Sequence, residues 1–388
     1  MKLENKQIAI IGAGPGGLTL AKLLQLQGVV VKVYERDQNA NARVQGSPLD
    51  LHEESGLAAL KKAGLFDVFK SSFMPGADKK LIMNEQAEVL FSDHEYKVEE
   101  NFGDQHFRPE IDRGVLRSIL LESLTADTVF WDSKFINMQM QQEGWLLTFG
   151  NGSSAYADLV IAADGANSKI RPYLTDIKAF YTGIIMMEGN IYDAENNASQ
   201  INALLKGGKI MAFGKEQNLL LGQKANGEIG FYASFKANSD WVGDNDLSKA
   251  DRKQLLAWFK EKYQGWAAVW DELFEQTELP IVPRPIYCMP LDQSWASMPN
   301  LTMLGDAAHV MPPFAGEGVN MAMLDALELS ECLVSLQYGA IYEAIESYER
   351  NMCKRASIIA KESLDNGQMM HAEDALENML VFFSGHEH

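Results

Sequence analysis

Three glycines and an acid are the first residues in this chain that could do chemistry. Gly12, Gly14 and Gly17 satisfy the spacing G-x-G-x-x-G, and Glu35 follows 18 residues after Gly17. Such a set binds a dinucleotide. The first glycine permits a tight turn out of a strand, the second lets the backbone approach a pyrophosphate, and the third allows close helix–strand packing. The N–H groups and dipole of the helix that follows favour the phosphates, and Glu35 is placed to accept hydrogen bonds from ribose hydroxyls. A glycine-rich turn alone need hold nothing, so its context decides.

Other charged residues are candidates for the same ligand. Arg43 and Asp50 stand out in the small-polar loop 37–50, which is either solvated surface or functional. Arg113 and Arg117 are four apart and share a helix face, which is either a basic edge in water or a reach towards phosphate. Asp164 and Asp306 lie in Asp-Gly and Gly-Asp turns after apolar runs. His309 could relay a proton, though a packed structural role is the preferred reading. Met186, Met187, Met211, Met311, Met321 and Met323 could line an adaptable pocket or simply fill core. No Ser-His-Asp set is expected. The seven histidines and three cysteines show no zinc spacing, so no metal is expected.

The elements that must position these residues can be read from periodicity. Ile8-Ala9-Ile10-Ile11 is a buried strand, a helix follows the glycines and stops at Gly28, and Val29–Tyr34 is a second strand. Residues 53–69 predict one helix with Leu57, Leu60, Leu65 and Phe69 on one side. Asp112 is a plausible cap for a helix whose stripe is Leu116, Ile119, Leu120 and Leu124. Residues 135–138 and 145–149 suggest a hairpin, and 157–164 reads as a buried strand. From about 177 to 284, alternating stretches between Gly, Asn and Lys turns predict a mostly antiparallel sheet. A strand at 301–304, a helix from Asn320 to about Leu336 and an amphipathic helix from about Ile341 to Leu380 complete the chain.

The fold class expected is α/β, a Rossmann-like dinucleotide domain with an inserted, mostly antiparallel sheet domain and a long C-terminal helix. The first domain takes 1–77, 100–176 and 285–340, the inserted one 78–99 and 177–284, and the helical segment 341–388. A chain of 388 residues is long enough for both domains. The net charge of −19 disfavours nucleic acid and anionic membrane as partners. No apolar run reaches the roughly 18 residues of a spanning helix. The N-terminus leads straight into the first strand, so the cytoplasm is the expected compartment. Three cysteines fit a reducing one. A monomer is expected.

Three segments, GAGPGG at 12–17, ADGANSKIR at 163–171 and GDAAHVMPPFAGEGVN at 305–320, together resemble the single-component FAD-dependent aromatic hydroxylases. VYERD at 33–37, LDLHEESGLAALKKAGL at 49–65 and IDRGVLRSILLESL at 111–124 are most similar to the tetracycline-inactivating members of that group, the tetracycline destructases. The resemblance implies FAD as bound cofactor, NADPH as transient reductant and O2 as co-substrate. The flavin C4a-hydroperoxide, and no particular side chain, would transfer one oxygen to an aromatic or polycyclic small molecule. Without a second G-x-G-x-x-G, NADPH would dock over the flavin. The cofactor set implied is Gly12, Gly14, Gly17, Glu35, Arg36, Arg43, Asp50, Arg113, Arg117, Asp164, Asp306, Pro313, Gly316, Gly318, Val319 and Asn320. The substrate set implied is Glu188, Lys209, Phe231, Phe314 and Gly316. Where the tetracycline enzymes carry Gln, Arg and His for substrate, this chain has Glu188, Lys209 and Gly230 nearby, so one contact gains negative charge, one keeps its charge and one is lost. Two other readings stay open: a flavoprotein of this fold that does not insert oxygen, and a non-catalytic dinucleotide binder.

Overall fold

In the computed structural model, which describes residues 3–42, 48–95, 101–104, 107–245 and 247–384, the apolar run Ile8–Ile11 is buried at all four positions. It is the centre of a five-stranded sheet in the order Leu301–Met303, Leu159–Ala162, Ile8–Ile11, Val31–Tyr34, Val129–Phe130. Every neighbour in it is parallel. Parallel strands are covered on both faces, which is why they read as continuous apolar runs. Pro15–Leu26 packs against Gly318–Val334 and Arg113–Glu122 on this sheet. Asp112 caps the last of these, its carboxylate accepting from Gly114 N–H at 2.8 Å and Val115 N–H at 3.2 Å.

Local chemistry changed some boundaries. The helix expected over 53–69 is two, Gly56–Ala63 and Phe66–Lys70, because Gly64 takes a left-handed conformation with φ 72° between them. Its four expected apolar residues are all buried. Phe135–Gln141 and Gly144–Phe149 form the expected hairpin, and Ser154–Ala157 adds a third antiparallel strand to it. The buried strand proper is shorter than 157–164, running only over Leu159–Ala162.

The second sheet has seven strands, in the order Val282–Cys288, Phe180–Ile191, Ile229–Lys236, Gln217–Gln223, Lys209–Gly214, Lys80–Asn84, Val89–Ser92. All pairings are antiparallel except Lys209–Gly214 with Lys80–Asn84. Pro283 and Pro285 sit on its outermost strand, where a missing N–H costs no ladder bond. One face of this sheet buries Ile185, Met187, Phe231, Ala233 and Phe235 under helices Ser199–Leu205, Arg252–Lys262 and Asp271–Gln276. The other face looks towards the parallel-sheet domain.

The C-terminal helix is not continuous to Leu380. Ile341–Met370 ends at His371, and a second helix, Ala375–Ser384, follows. The break has no glycine or proline. His371 is buried, with Nδ1 2.7 Å from Gly367 O and Nε2 2.6 Å from Ser234 Oγ and 3.1 Å from Asn218 Nδ2. The large sheet thus holds the chain at the point where the helix stops. No helix among the described residues is long and apolar enough to cross a membrane. Among the described residues no group of three or more His, Cys, Asp or Glu could hold a metal.

Candidate active site

A cavity of about 1600 Å³ runs from the glycine turn to the inner face of the seven-stranded sheet. It exceeds the roughly 300–1,000 Å³ of an ordinary small-molecule site, so it has room for a dinucleotide and a second ligand.

The glycine turn closes its first end. Gly12 has φ 113°, and a Cβ there would stand 2.2 Å from Ala163 O. A Cβ on Gly17 would stand 2.2 Å from Gly12 O. Gly14 differs, since a Cβ there would meet no protein atom within 4 Å. Its backbone lies open to the cavity at the start of the helix Pro15–Leu26. Glu35 accepts from Ala13 N–H at 2.6 Å and Asp37 N–H at 3.0 Å, so it braces the turn as well as lining the cavity. Arg36 lines the cavity beside it.

The two later motifs meet behind that turn. Asp164, after the strand Leu159–Ala162, accepts from Lys169 N–H at 2.8 Å. Asp306, after Leu301–Met303, is exposed to the cavity, with dense protein on every other side of it. Burial holds both carboxyls above their usual range, Asp306 against the pull of His309, Arg113 and Arg171. A ligand or water in the cavity would offset part of that. Arg171 ties the two turns together, donating to Ala307 O at 2.7 Å, Asp306 O at 2.8 Å and Ala166 O at 3.2 Å. Behind them Asp325 accepts from Gly305 N–H at 2.8 Å and pairs with His309 at 2.6 Å and Arg355 at 2.6 Å. His309 is therefore buried in a structural cluster away from the main cavity.

The middle of the cavity is charged. Asp50, Arg113, Pro313, Gly316, Gly318 and Val319 line it. His52 sits behind Asp50, with Nε2 3.1 Å from the Asp50 carboxylate and Nδ1 2.9 Å from Glu317. Burial alone would raise the Asp50 carboxyl, but His52, Lys209 and Arg108 hold it below the usual range. Lys209 of the large sheet is ion-paired with Glu110. Burial pushes the Glu110 carboxyl up to about 7 against that pairing.

The far end belongs to the large sheet and the C-terminal helices. Lys209, Tyr232, Arg284 and Gly230 line it from the sheet, and Phe314, Met369 and Met379 from the other side. Of the methionines singled out in the sequence, Met186, Met211 and Met311 face the cavity, whereas Met187 and Met323 are core.

Four expected contacts are placed differently, and one lies outside the description. Arg117 is turned from the cavity into a 3.0 Å pair with Asp37, its guanidinium 5.5 Å from the Trp131 ring centroid. Asn320 is buried and staples the loop to the helix: its Oδ1 accepts from His52 N–H at 2.9 Å, and its Nδ2 donates to Asp50 O at 2.9 Å. Phe231 points to the opposite face of the sheet, 5.4 Å from the Phe274 ring, and its neighbour Tyr232 takes the cavity side. Glu188 stands one step back, ion-paired with Arg284, which lines the cavity. Arg43 lies outside the described residues. Sequence reasoning missed His52, Glu110, Arg171 and Arg284. The only local signal was that His52 and Arg171 fall inside motif segments.

The residues present fit FAD. Gly14 leaves a cradle that a side chain would fill, a helix N-terminus faces it, and Arg113 and the Gly316–Val319 turn stand further along the same cavity. A family profile described as FAD binding domain matches residues 5–211 and 294–363, most of the chain, and the protein belongs to that family. It is a FAD-dependent monooxygenase, as its relatives are. Monooxygenase penA from Penicillium thymicola is 27% identical over 429 residues, spanning 96% of this chain and 97% of that protein. Klebsiella pneumoniae HpxO, solved with FAD and uric acid, superposes with a TM-score of 0.76 at 21% identity, covering 99% of this chain and 93% of that one. Tetracycline destructase Tet(55) gives a TM-score of 0.76 at 19% identity, covering 99% of this chain and 96% of that one. At these identities the two structural likenesses establish the fold alone.

Proposed function

We propose that this enzyme consumes NAD(P)H and O2 to insert one oxygen atom into a phenolic or polycyclic small molecule, and that tetracyclines are among the substrates to test first. The observation that carries this reading is the single cavity joining the dinucleotide turn at Gly12–Gly17 to the sheet face bearing Lys209, Tyr232 and Arg284. When bound, FAD supplies the chemistry, accepting a hydride from NAD(P)H and delivering one atom of O2 to the substrate while the other leaves as water.

The chain's own residues bind, orient and shield. Gly14 and the helix N-terminus behind it hold the pyrophosphate, with Glu35 and Arg36 at the adenosine side. Asp306 and Asp164 meet the sugar-alcohol chain, and Arg113 adds positive charge near the phosphates. Asp50 and the Gly316–Val319 turn border the ring system, where the N–H groups at the start of Gly318–Val334 favour negative charge. The sheet domain, built from the strands within 80–92 and 180–288, carries the substrate. Met211, Phe314, Met369 and Met379 add apolar lining beside Lys209 and Arg284, which helps shield the reacting atoms from water.

The test is NADPH oxidation by the FAD-loaded protein with and without a tetracycline, followed by mass spectrometry. A product heavier by one oxygen supports the full reading. NADPH oxidation with hydrogen peroxide and no product keeps the flavin chemistry and rejects tetracycline. Protein that holds FAD but never oxidises NADPH overturns the proposal.

A further inference from the structure

The cavity face of the large sheet contains a gap in its side chains. Lys209 is paired across the strands with Gly222, Gly222 with Gly230, and Gly230 with Asn190. Lys209 and both glycines line the cavity. The next row on the same face is Met211, Leu220, Tyr232 and Glu188, so large side chains resume immediately beside the gap.

Gly222 answers no backbone need. Neither it nor Gly230 has a positive φ. At Gly222 a Cβ would meet no protein atom within 4 Å. Glycine weakens a strand interior and commonly marks a bulge, a bend or a close approach of something to the backbone. The register here runs without a shift through both residues. That leaves the close approach, and what faces Gly222 is the cavity.

We propose that the Gly222–Gly230 pair sets substrate specificity: it clears a strip of bare backbone on which a flat, fused-ring substrate lies face-on, its polar edge turned to Lys209. This rests on the sheet face being the substrate wall, as proposed above. The row from Lys209 to Asn190 crosses four strands, about 14 Å at ordinary strand spacing, a width suited to several fused rings. Leu220 and Tyr232 flank the strip and fix the ring edge. Lys209, at one end of the strip, is already paired with Glu110, and Arg284, two rows along the sheet beside Met186, with Glu188. The site therefore suits a ligand offering hydrogen-bonding hydroxyls and carbonyls over a dianion.

Calorimetric titration of the FAD-loaded protein, wild type and Gly222→Val, with tetracycline, alizarin and the single-ring 4-hydroxybenzoate tests this. The valine is expected to weaken the fused-ring ligands about tenfold or more and the single-ring phenol far less, because the added methyls occupy the strip. Its melting temperature should equal or exceed that of wild type, since valine suits a strand. Gly222→Ala should give an intermediate loss. Equal affinities in variant and wild type, equal losses for all three ligands, or no fused-ring binding by wild type would each overturn the inference. Oxygen insertion is read in the separate NADPH and mass assay. A wild type that binds fused rings in a Gly222-dependent way yet makes no product therefore fails the function and keeps the specificity claim.

Discussion

His52 Nε2 lies 3.1 Å from the Asp50 carboxylate, two residues earlier in the chain, and its other ring nitrogen meets Glu317 at 2.9 Å. One buried imidazole thus joins the short strand Leu49–Asp50 to the turn before the helix Gly318–Val334. Both carry residues that border the proposed flavin-ring end of the cavity. Asn320 reinforces the same junction through the backbone of Asp50 and His52.

This arrangement makes stability depend on pH in a defined window. Burial alone would lower the His52 pKa, but its hydrogen bonds to Asp50 and Glu317 outweigh that and raise it from 6.5 to about 9. A raised imidazole stabilises the fold fully below its ordinary value and loses that contribution as pH climbs through the folded value. Such a shift corresponds to about 3 kcal/mol. His52→Gln should therefore be less stable than wild type by about that much near pH 6, with the gap closing towards about pH 10. Urea denaturation across the range checks it. A gap that is constant with pH would mean that His52 is neutral throughout.

Two glycines of one turn should fail differently. A Cβ at Gly12 collides with Ala163 O at 2.2 Å, whereas a Cβ at Gly14 meets no protein atom. Gly12→Ala should destabilise the apoprotein by more than about 2 kcal/mol. Gly14→Ala should leave apoprotein stability within about 0.5 kcal/mol and weaken FAD binding by about tenfold or more, because the methyl would project into the space proposed for the pyrophosphate. Thermal melts of apoprotein and quenching of FAD fluorescence separate the two effects.

What the sequence disclosed was what is local. The turn at 12–17, the cap Asp112 and the buried strands are set by neighbours within a few residues, so spacing alone revealed them. The charge pairs were not legible, because Lys209 meets Glu110 and Arg171 meets Asp306 only after distant segments pack. Period-2 alternation placed Phe231 and Tyr232 on opposite faces but could not say which face was the cavity. Both faces of this sheet are covered, one by helices and one by the other domain. The break at His371 was hidden for the same reason: the stretch Met370-His371-Ala372-Glu373-Asp374 contains no helix-breaking residue, and Ser234 and Asn218 on another element hold it there.

The placement of that aromatic pair is itself testable. Phe231 is buried against Phe274 beneath the helices, so Phe231→Ala should cost about 3–5 kcal/mol through the cavity it leaves. Once folded, the variant should bind ligands as wild type does. Tyr232→Ala should do the reverse, with a modest stability loss and a fall in ligand affinity of about tenfold. Denaturation midpoints beside ligand titrations would decide; a ligand-affinity loss in folded Phe231→Ala would show that the two faces are exchanged.

Asp325 provides the strictest test of how the Gly305–Asp306 turn is held. Its fully buried carboxylate accepts from Gly305 N–H and faces two cations, His309 and Arg355. Burial would raise its pKa, but His309 and Arg355 hold it below the usual range, so its contribution is present above 3.8 and is lost as pH falls. Replacing one partner of a buried pair strands the other, at a cost of about 3–5 kcal/mol. Asp325→Asn should therefore lose stability of that order and also bind FAD less tightly, because Asp306 follows the loosened turn. Arg355→Met removes one of the stranded cations, so Asp325→Asn with Arg355→Met should be less destabilised than the sum of the two single changes. Additive losses in that cycle would mean that Arg355 serves Glu328, which it also meets at 2.6 Å, and contributes nothing to the turn.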